Sequence, residues 1–118
     1  MKLNPDCIRD ILLTIETSTT FTKGFSYNSE TIYPLLEKYT PEEVLYHIEQ
    51  IEMSELIFDV MWFCGNSCYV EGFTPSGHEF LSVIKDENNF KKILVNMAKL
   101  SLPHLIDLAK EILPKYTP

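Results

Sequence analysis

Between Tyr39 and Ile84 the chain has no lysine and no arginine. Cations neutralising phosphates supply much of a protein's affinity for DNA, so this stretch is poorly suited to hold nucleic acid. Cysteine is scarce: Cys7, Cys64 and Cys68 are three in 118 residues, an odd and sparse set that does not fit the disulfide framework of a secreted domain. Reduced thiols are expected. No apolar run approaches the roughly 18 residues of a membrane span, and the N-terminal MKLNPDCIRD carries charges where a signal peptide needs its apolar core. These absences describe a cytoplasmic protein without membrane contact. There is also no P-loop, nucleophile elbow, dinucleotide fingerprint or metal-ligand cluster, so no enzymatic activity and no cofactor are expected.

What the sequence does have is acid in one block. The net charge is −7, and Glu42, Glu43, Glu49, Glu52, Glu55, Asp59, Glu71 and Glu79 all fall inside the cation-free stretch. The basic residues lie outside it, with Lys2, Arg9, Lys23 and Lys38 before and Lys85, Lys91, Lys92, Lys99, Lys110 and Lys115 after. At 118 residues, with 45% apolar and 23% charged residues, the chain reads as one ordinary globular domain, 1–118.

Helix starts are well marked, because a polar capping residue is followed closely by proline at Asn4-Pro5, Thr40-Pro41, Thr74-Pro75 and Ser101-Leu102-Pro103. The first helix is expected over Pro5 to about Thr17, with Ile8, Ile11, Leu12 and Ile15 on one apolar face. Ser18 to Ser29 reads as a polar loop, and a short helix is placed near Leu35. The next helix, Pro41 to about Glu55, has Thr40 and Glu43 in capping-box spacing and Val44, Leu45, Ile48 and Ile51 pointing inward. IFDVMWFCGNSCYVEGF then predicts a hairpin of about 57–73, with strands near Ile57 to Phe63 and Ser67 to Phe73 and positive φ at Gly65-Asn66. Three helices follow, carrying Phe80, Leu81 and Ile84, then Phe90, Ile93, Leu94 and Met97, then Leu102, Leu105, Ile106, Ala109 and Leu113, with Pro114 as the stop. This order predicts an α+β, winged helix-turn-helix-like domain, its wing the hairpin, with a C-terminal helical extension over about 87–114.

The segments MKLNPDCIRDILLTIE, YTPEEVLYHIEQIEMSELI and FTPSGHEFLSVIKD resemble, in order and spacing, a family of small proteins from bacteriophages, prophages and Gram-positive bacteria, catalogued as a domain of unknown function. The run from Thr74 to Leu81 is its most specific part. The resemblance implies a winged-helix-like fold and brings no activity with it. In such helices the end commonly reads Ala-Gly-Leu-Ile; here Glu55 stands where the glycine would be.

The candidate working surface is the outer face of the recognition-like helix: Glu42, Glu43, Tyr46, His47, Glu49, Gln50 and Glu52. With so many carboxylates it fits a protein partner, a host or phage factor with a basic surface, better than DNA. An alternative basic face is Lys85, Lys91, Lys92 and Lys99, which would serve a DNA-binding regulator acting as a dimer. Adjacent residues such as His78 and Glu79 point apart on a helix, so they do not form an acid/base pair; instead Gly77 is expected to let its helix approach the wing, with His78 hydrogen-bonding locally. Cys64 and Cys68 form a C-x3-C, not the C-x2-C of a zinc knuckle, and read as free thiols. The hairpin aromatics fall on both faces by period-2 geometry, leaving two readings open: C-terminal helices over the second face, or an exposed patch that binds a partner or a second copy.

Overall fold

The computed structural model describes residues 1–64, 66–96 and 101–113. Helix α1, Pro5–Ser18, opens on Asn4, whose side chain accepts from the Asp6 N–H, and buries Ile8, Ile11, Leu12 and Ile15 together with Cys7. Each such aliphatic side chain contributes about 1.5–3 kcal/mol by leaving water. Strand β1, Phe25–Asn28, follows, then a short 3-10 helix, Pro34–Leu36, and helix α2, Pro41–Met53. The hairpin strands β2, Ile57–Phe63, and β3, Ser67–Phe73, lead into α3, Pro75–Ile84, α4, Glu87–Val95, and α5, Leu102–Ile112.

β1 corrects the loop expected over 18–29. Phe25 and Tyr27 are buried while Ser26 and Asn28 are exposed, the alternation of a half-buried strand. It pairs antiparallel with β3, Phe25 opposite Val70 and Tyr27 opposite Cys68, giving a three-stranded sheet in the order β1-β3-β2. The inner face carries Phe25, Tyr27, Cys68 and Val70, all part of one core cluster with α1 and α2. β2 and β3 pair from Ile57↔Phe73 to Phe63↔Ser67, passing over Asp59, which sits at φ 49°. At the hairpin tip Cys64, not Asn66, takes the left-handed conformation, with φ 52°, and the Asn66 N–H closes on the Phe63 carbonyl at 3.2 Å. Gly65, Met97, Lys99 and Pro114, singled out from sequence, lie outside the described residues.

The capping box forms as its spacing predicts: the Thr40 hydroxyl accepts from the Glu43 N–H at 3.2 Å, and Glu43 Oε1 accepts from the Thr40 N–H at 3.2 Å. At the other end α2 stops at Met53, two residues before the expected Glu55. Glu55 adopts φ 60°, its N–H bonds the Glu52 carbonyl at 2.9 Å, and the Leu56 N–H bonds the Ile51 carbonyl at 3.3 Å. This is a Schellman closure, with Leu56 and Ile51 both buried at it and glutamate in the place usually held by glycine.

That closure aims the chain into β2 and sets the α3 junction. The Thr74 N–H bonds the Leu56 carbonyl at 3.0 Å, and the Thr74 hydroxyl donates to the Glu55 carbonyl at 2.6 Å. Gly77 packs so closely here that a Cβ would lie 1.9 Å from the Leu56 carbonyl oxygen. Close approach through Gly77 thus holds. His78 does not hydrogen-bond through its side chain among the described residues; its ring lies 5.2 Å from that of Phe73. The opposite end of α3 is capped by α1: Arg9 donates to the Ile84 carbonyl at 2.8 Å and the Lys85 carbonyl at 2.9 Å, while its guanidinium sits 5.5 Å over the Phe90 ring.

Candidate interaction surface

Helix α2 buries Val44, His47, Ile48 and Ile51 and turns the opposite stripe to solvent. Glu42, Glu49 and Met53 are exposed on that stripe, flanked by half-buried Leu45, Tyr46 and Glu52. Seven-residue spacing from Glu42 to Glu49, two helical turns, puts both carboxylates on one line. Glu43 is half-buried and spends its carboxylate on the capping box. Gln50 and Tyr46, both half-buried, border a shallow groove with Lys2, Leu3 and Pro103.

His47 is the residue of this set that the structure removes from the surface. It is only 1% exposed, Nε2 accepts from the Asn4 N–H at 2.8 Å, and Nδ1 stands 2.6 Å from the Glu43 carbonyl oxygen. An acceptor role for Nε2 and a carbonyl facing Nδ1 specify the neutral tautomer protonated on Nδ1. Burial lowers the His47 pKa, partly opposed by the Glu43 carbonyl and carboxylate. The sequence misled here because position 47 lies at the edge of the apolar stripe, where the side chain's direction is decided by Asn4, far away in the chain.

Glu52 joins the helix to the sheet. Its Oε1 accepts from the Trp62 indole N–H at 2.9 Å, so the acidic stripe runs directly into β2. There Phe58 is 42% exposed, Met61 54%, Trp62 36% and Phe63 50%. Met61 and Phe63 lie on the outer face of the sheet, across from Tyr69 and Ser67. Of the two readings of the hairpin aromatics, the cover by C-terminal helices is not seen among the described residues, where α4 and α5 pack on α3 and these side chains stay exposed.

The two buried thiols, Cys7 and Cys68, offer no reactive centre. Cys68 is buried, and burial, with the Glu52 charge adding, pushes its pKa up to about 12. Cys7 is likewise pushed up to about 12, by burial first and then by Glu43 and Asp10. Both remain protonated at neutral pH and are poor nucleophiles and ligands. Cys64 is exposed at the hairpin tip, and all three cysteines are free thiols. Among the described residues no group of three His, Cys, Asp or Glu side chains is placed to hold a metal ion, and no helix is long and apolar enough to cross a membrane.

The alternative basic face is described in part. Lys85 pairs with Glu16 at 3.0 Å, Lys91 and Lys92 are exposed on α4, and Lys99 lies outside the described residues. Two contacts that sequence reasoning missed are Arg9 on the end of α3, 75 residues away, and Glu52 on Trp62, 10 residues on across the α2–β2 junction; neither carries a local signal.

No curated protein and no solved structure matches the chain. A family model does match, over residues 2–102, from the N-terminal segment to the first residue of α5. The chain therefore belongs to the family described as hypothetical protein (DUF2513).

Proposed function

We propose that this is a non-enzymatic, macromolecule-binding accessory protein, of the phage and prophage type that the resemblance implies, whose acidic α2 face engages a protein partner with a basic surface. The observation that carries the reading is the Glu52–Trp62 hydrogen bond at 2.9 Å, which fuses a carboxylate stripe to an exposed apolar strand without a lysine or arginine between Tyr39 and Ile84. Carboxylates select and steer a cationic partner, while exposed aromatics supply the desolvated contact that holds it. Regulation or inhibition then follows from covering the partner's basic surface.

The test is capture by tagged wild-type protein compared with Glu42→Lys/Glu49→Lys, two exposed positions whose reversal leaves the core untouched. The reading expects a retained protein that elutes with salt and is lost from the double variant. Equal retention by both forms would sink it.

The second reading is a DNA-binding regulator of winged-helix type. It draws support from the element order α1, β1, the short 3-10 helix, α2 and the β2–β3 hairpin, with β1 paired to β3. In that reading α2 would enter the major groove, where Glu42 and Glu49 would face phosphate. Low-salt binding to duplex DNA, weakened steeply by added salt and by Lys91→Glu, is its signature.

A further inference from the structure

The strand order β1-β3-β2 ends at β2, so one side of this strand has no neighbour among the described residues. In an antiparallel pair alternate residues turn their N–H and C=O away from the partner strand, and on β2 those groups face outward, ready to pair. Asp59, at φ 49°, breaks the regular pairing, leaving Val60 to Phe63 as a continuous run in register with β3. Edges are usually blunted by lysine, proline, other charges or bulges; β2 contains no lysine or proline, and its one charge, Asp59, lies at the break and outside the run Val60 to Phe63.

We propose that this edge is a docking site for one extended segment of a partner protein, which adds to the sheet as a fourth strand with basic and apolar side chains in alternation. The proposal rests on the protein-binding reading and specifies its mode. The two faces of β2 fix the partner's pattern. On the inner side Trp62 is bonded to Glu52, so a strand residue there lies beside a carboxylate and favours lysine or arginine. On the outer side Met61 and Phe63 are half exposed, so the next residue finds apolar surface. Charge also selects against a second copy: pairing two β2 edges would bring Glu52 and Asp59 of both chains together in a protein of net charge −7. Main-chain hydrogen bonds hold such a strand, and side-chain pockets on alternate residues choose it.

Trp62 is the only tryptophan in the chain, so its fluorescence reports on this edge directly. The probes are a synthetic octapeptide alternating lysine and valine, its scrambled form, and two versions N-methylated on alternate residues, one set blocking each edge of the peptide. The expected result is a saturable Trp62 response to the alternating peptide, with one N-methylated form binding like the parent and the other weakened about tenfold or more through its lost main-chain bonds. Glu52→Gln, which keeps an acceptor for Trp62 while removing the charge, should bind the parent more weakly.

Equal binding by both N-methylated forms or by the scrambled peptide would overturn the strand-addition mode while leaving simple attraction to the acidic face. Absence of any peptide response, with the Glu42→Lys/Glu49→Lys form still losing its captured protein, would overturn the edge site alone. If light scattering finds a dimer that the peptide dissociates, the occupant is a second copy and the proposal falls.

Discussion

The Tyr39 hydroxyl donates to Asp10 Oδ2 at 2.7 Å, tying the turn before α2 to the middle of α1. Asp10 is 6% exposed, and Lys38 Nζ sits 3.1 Å from the same oxygen. Burial first, then this hydrogen bond to a carboxylate, raises the Tyr39 pKa above its ordinary value, so the hydroxyl stays a donor. Because Lys38 is largely solvent-exposed, its pairing adds little, and Tyr39 is the partner that compensates the buried carboxylate. Tyr39→Phe is expected to cost about 1–3 kcal/mol in urea unfolding, the usual penalty for stranding a buried polar group. Asp10→Asn/Tyr39→Phe should cost less than the two single changes summed, since they share one interaction.

Gly77 and Gly72 offer a controlled contrast. A Cβ at Gly77 meets Leu56 backbone at 1.9 Å, whereas one at Gly72 meets only the edge of the Phe58 ring, Cε1 at 3.2 Å and Cζ at 3.6 Å. Backbone at the Schellman closure cannot yield, but an exposed phenyl ring can turn. Gly77→Ala should therefore destabilise by more than about 3 kcal/mol, among the large losses seen for single changes, and Gly72→Ala by under about 1 kcal/mol. Thermal unfolding of the two variants distinguishes them; similar midpoints would show that the helix–hairpin junction is softer than its geometry.

Glu55 holds φ 60° with a side chain that is exposed, while its backbone makes the contacts that matter. Left-handed conformation costs a non-glycine residue roughly 1–2 kcal/mol, and glycine gives back about 0.4–1 kcal/mol through a freer unfolded chain. Glu55→Gly is thus expected to stabilise by about 0.5–1 kcal/mol, the balance of strain relieved against unfolded-state entropy. A raised urea midpoint at unchanged slope is the readout, and a lowered midpoint would mean that the glutamate side chain holds the closure.

His47 makes stability depend on pH in a definite direction. Its folded pKa lies below the ordinary histidine value of about 6.5 because the imidazole is buried, the Glu43 carbonyl and carboxylate opposing this only in part. Above the unfolded pKa both states are neutral and the full stability is present. As pH falls below about 6.5 the unfolded chain takes up a proton that the folded one refuses, so stability is lost towards acid, by at most about 1.4 kcal/mol per pH unit for one group. Unfolding free energies measured from pH 7 to pH 5 should show this slope in the wild type and a shallower one in His47→Gln. Identical slopes would place the acid sensitivity elsewhere.

The elements legible in the sequence were those with strong local signals. Thr40 and Glu43 stand three residues apart with Pro41 between, and local hydrogen bonds turn that spacing directly into a helix start. Ile57 to Phe63 and Ser67 to Phe73 likewise coincide with the hairpin strands, since alternation and the turn are contained within one segment. β1 was hidden because Phe25-Ser26-Tyr27-Asn28 is too short to stand out from the threonines and serines before it, and its strand character comes from β3. On α2, Glu42 and Glu49 fell outward as spacing requires, while His47 turned inward to an acceptor position that only the folded N-terminus supplies.

By itself, then, the sequence determined the helix starts, the two hairpin strands and the acidic block, because caps, period-2 alternation and the distribution of charge are properties of short stretches of chain. Tertiary structure alone decided which surface was left open. The pairing of β1 with β3 made β2 an edge, the Glu52–Trp62 bond joined that edge to the α2 carboxylates, and Asn4 drew His47 out of solvent. Each of these depends on groups brought together across the fold, whose meeting is governed by packing and by the satisfaction of buried polar atoms, which no local pattern encodes.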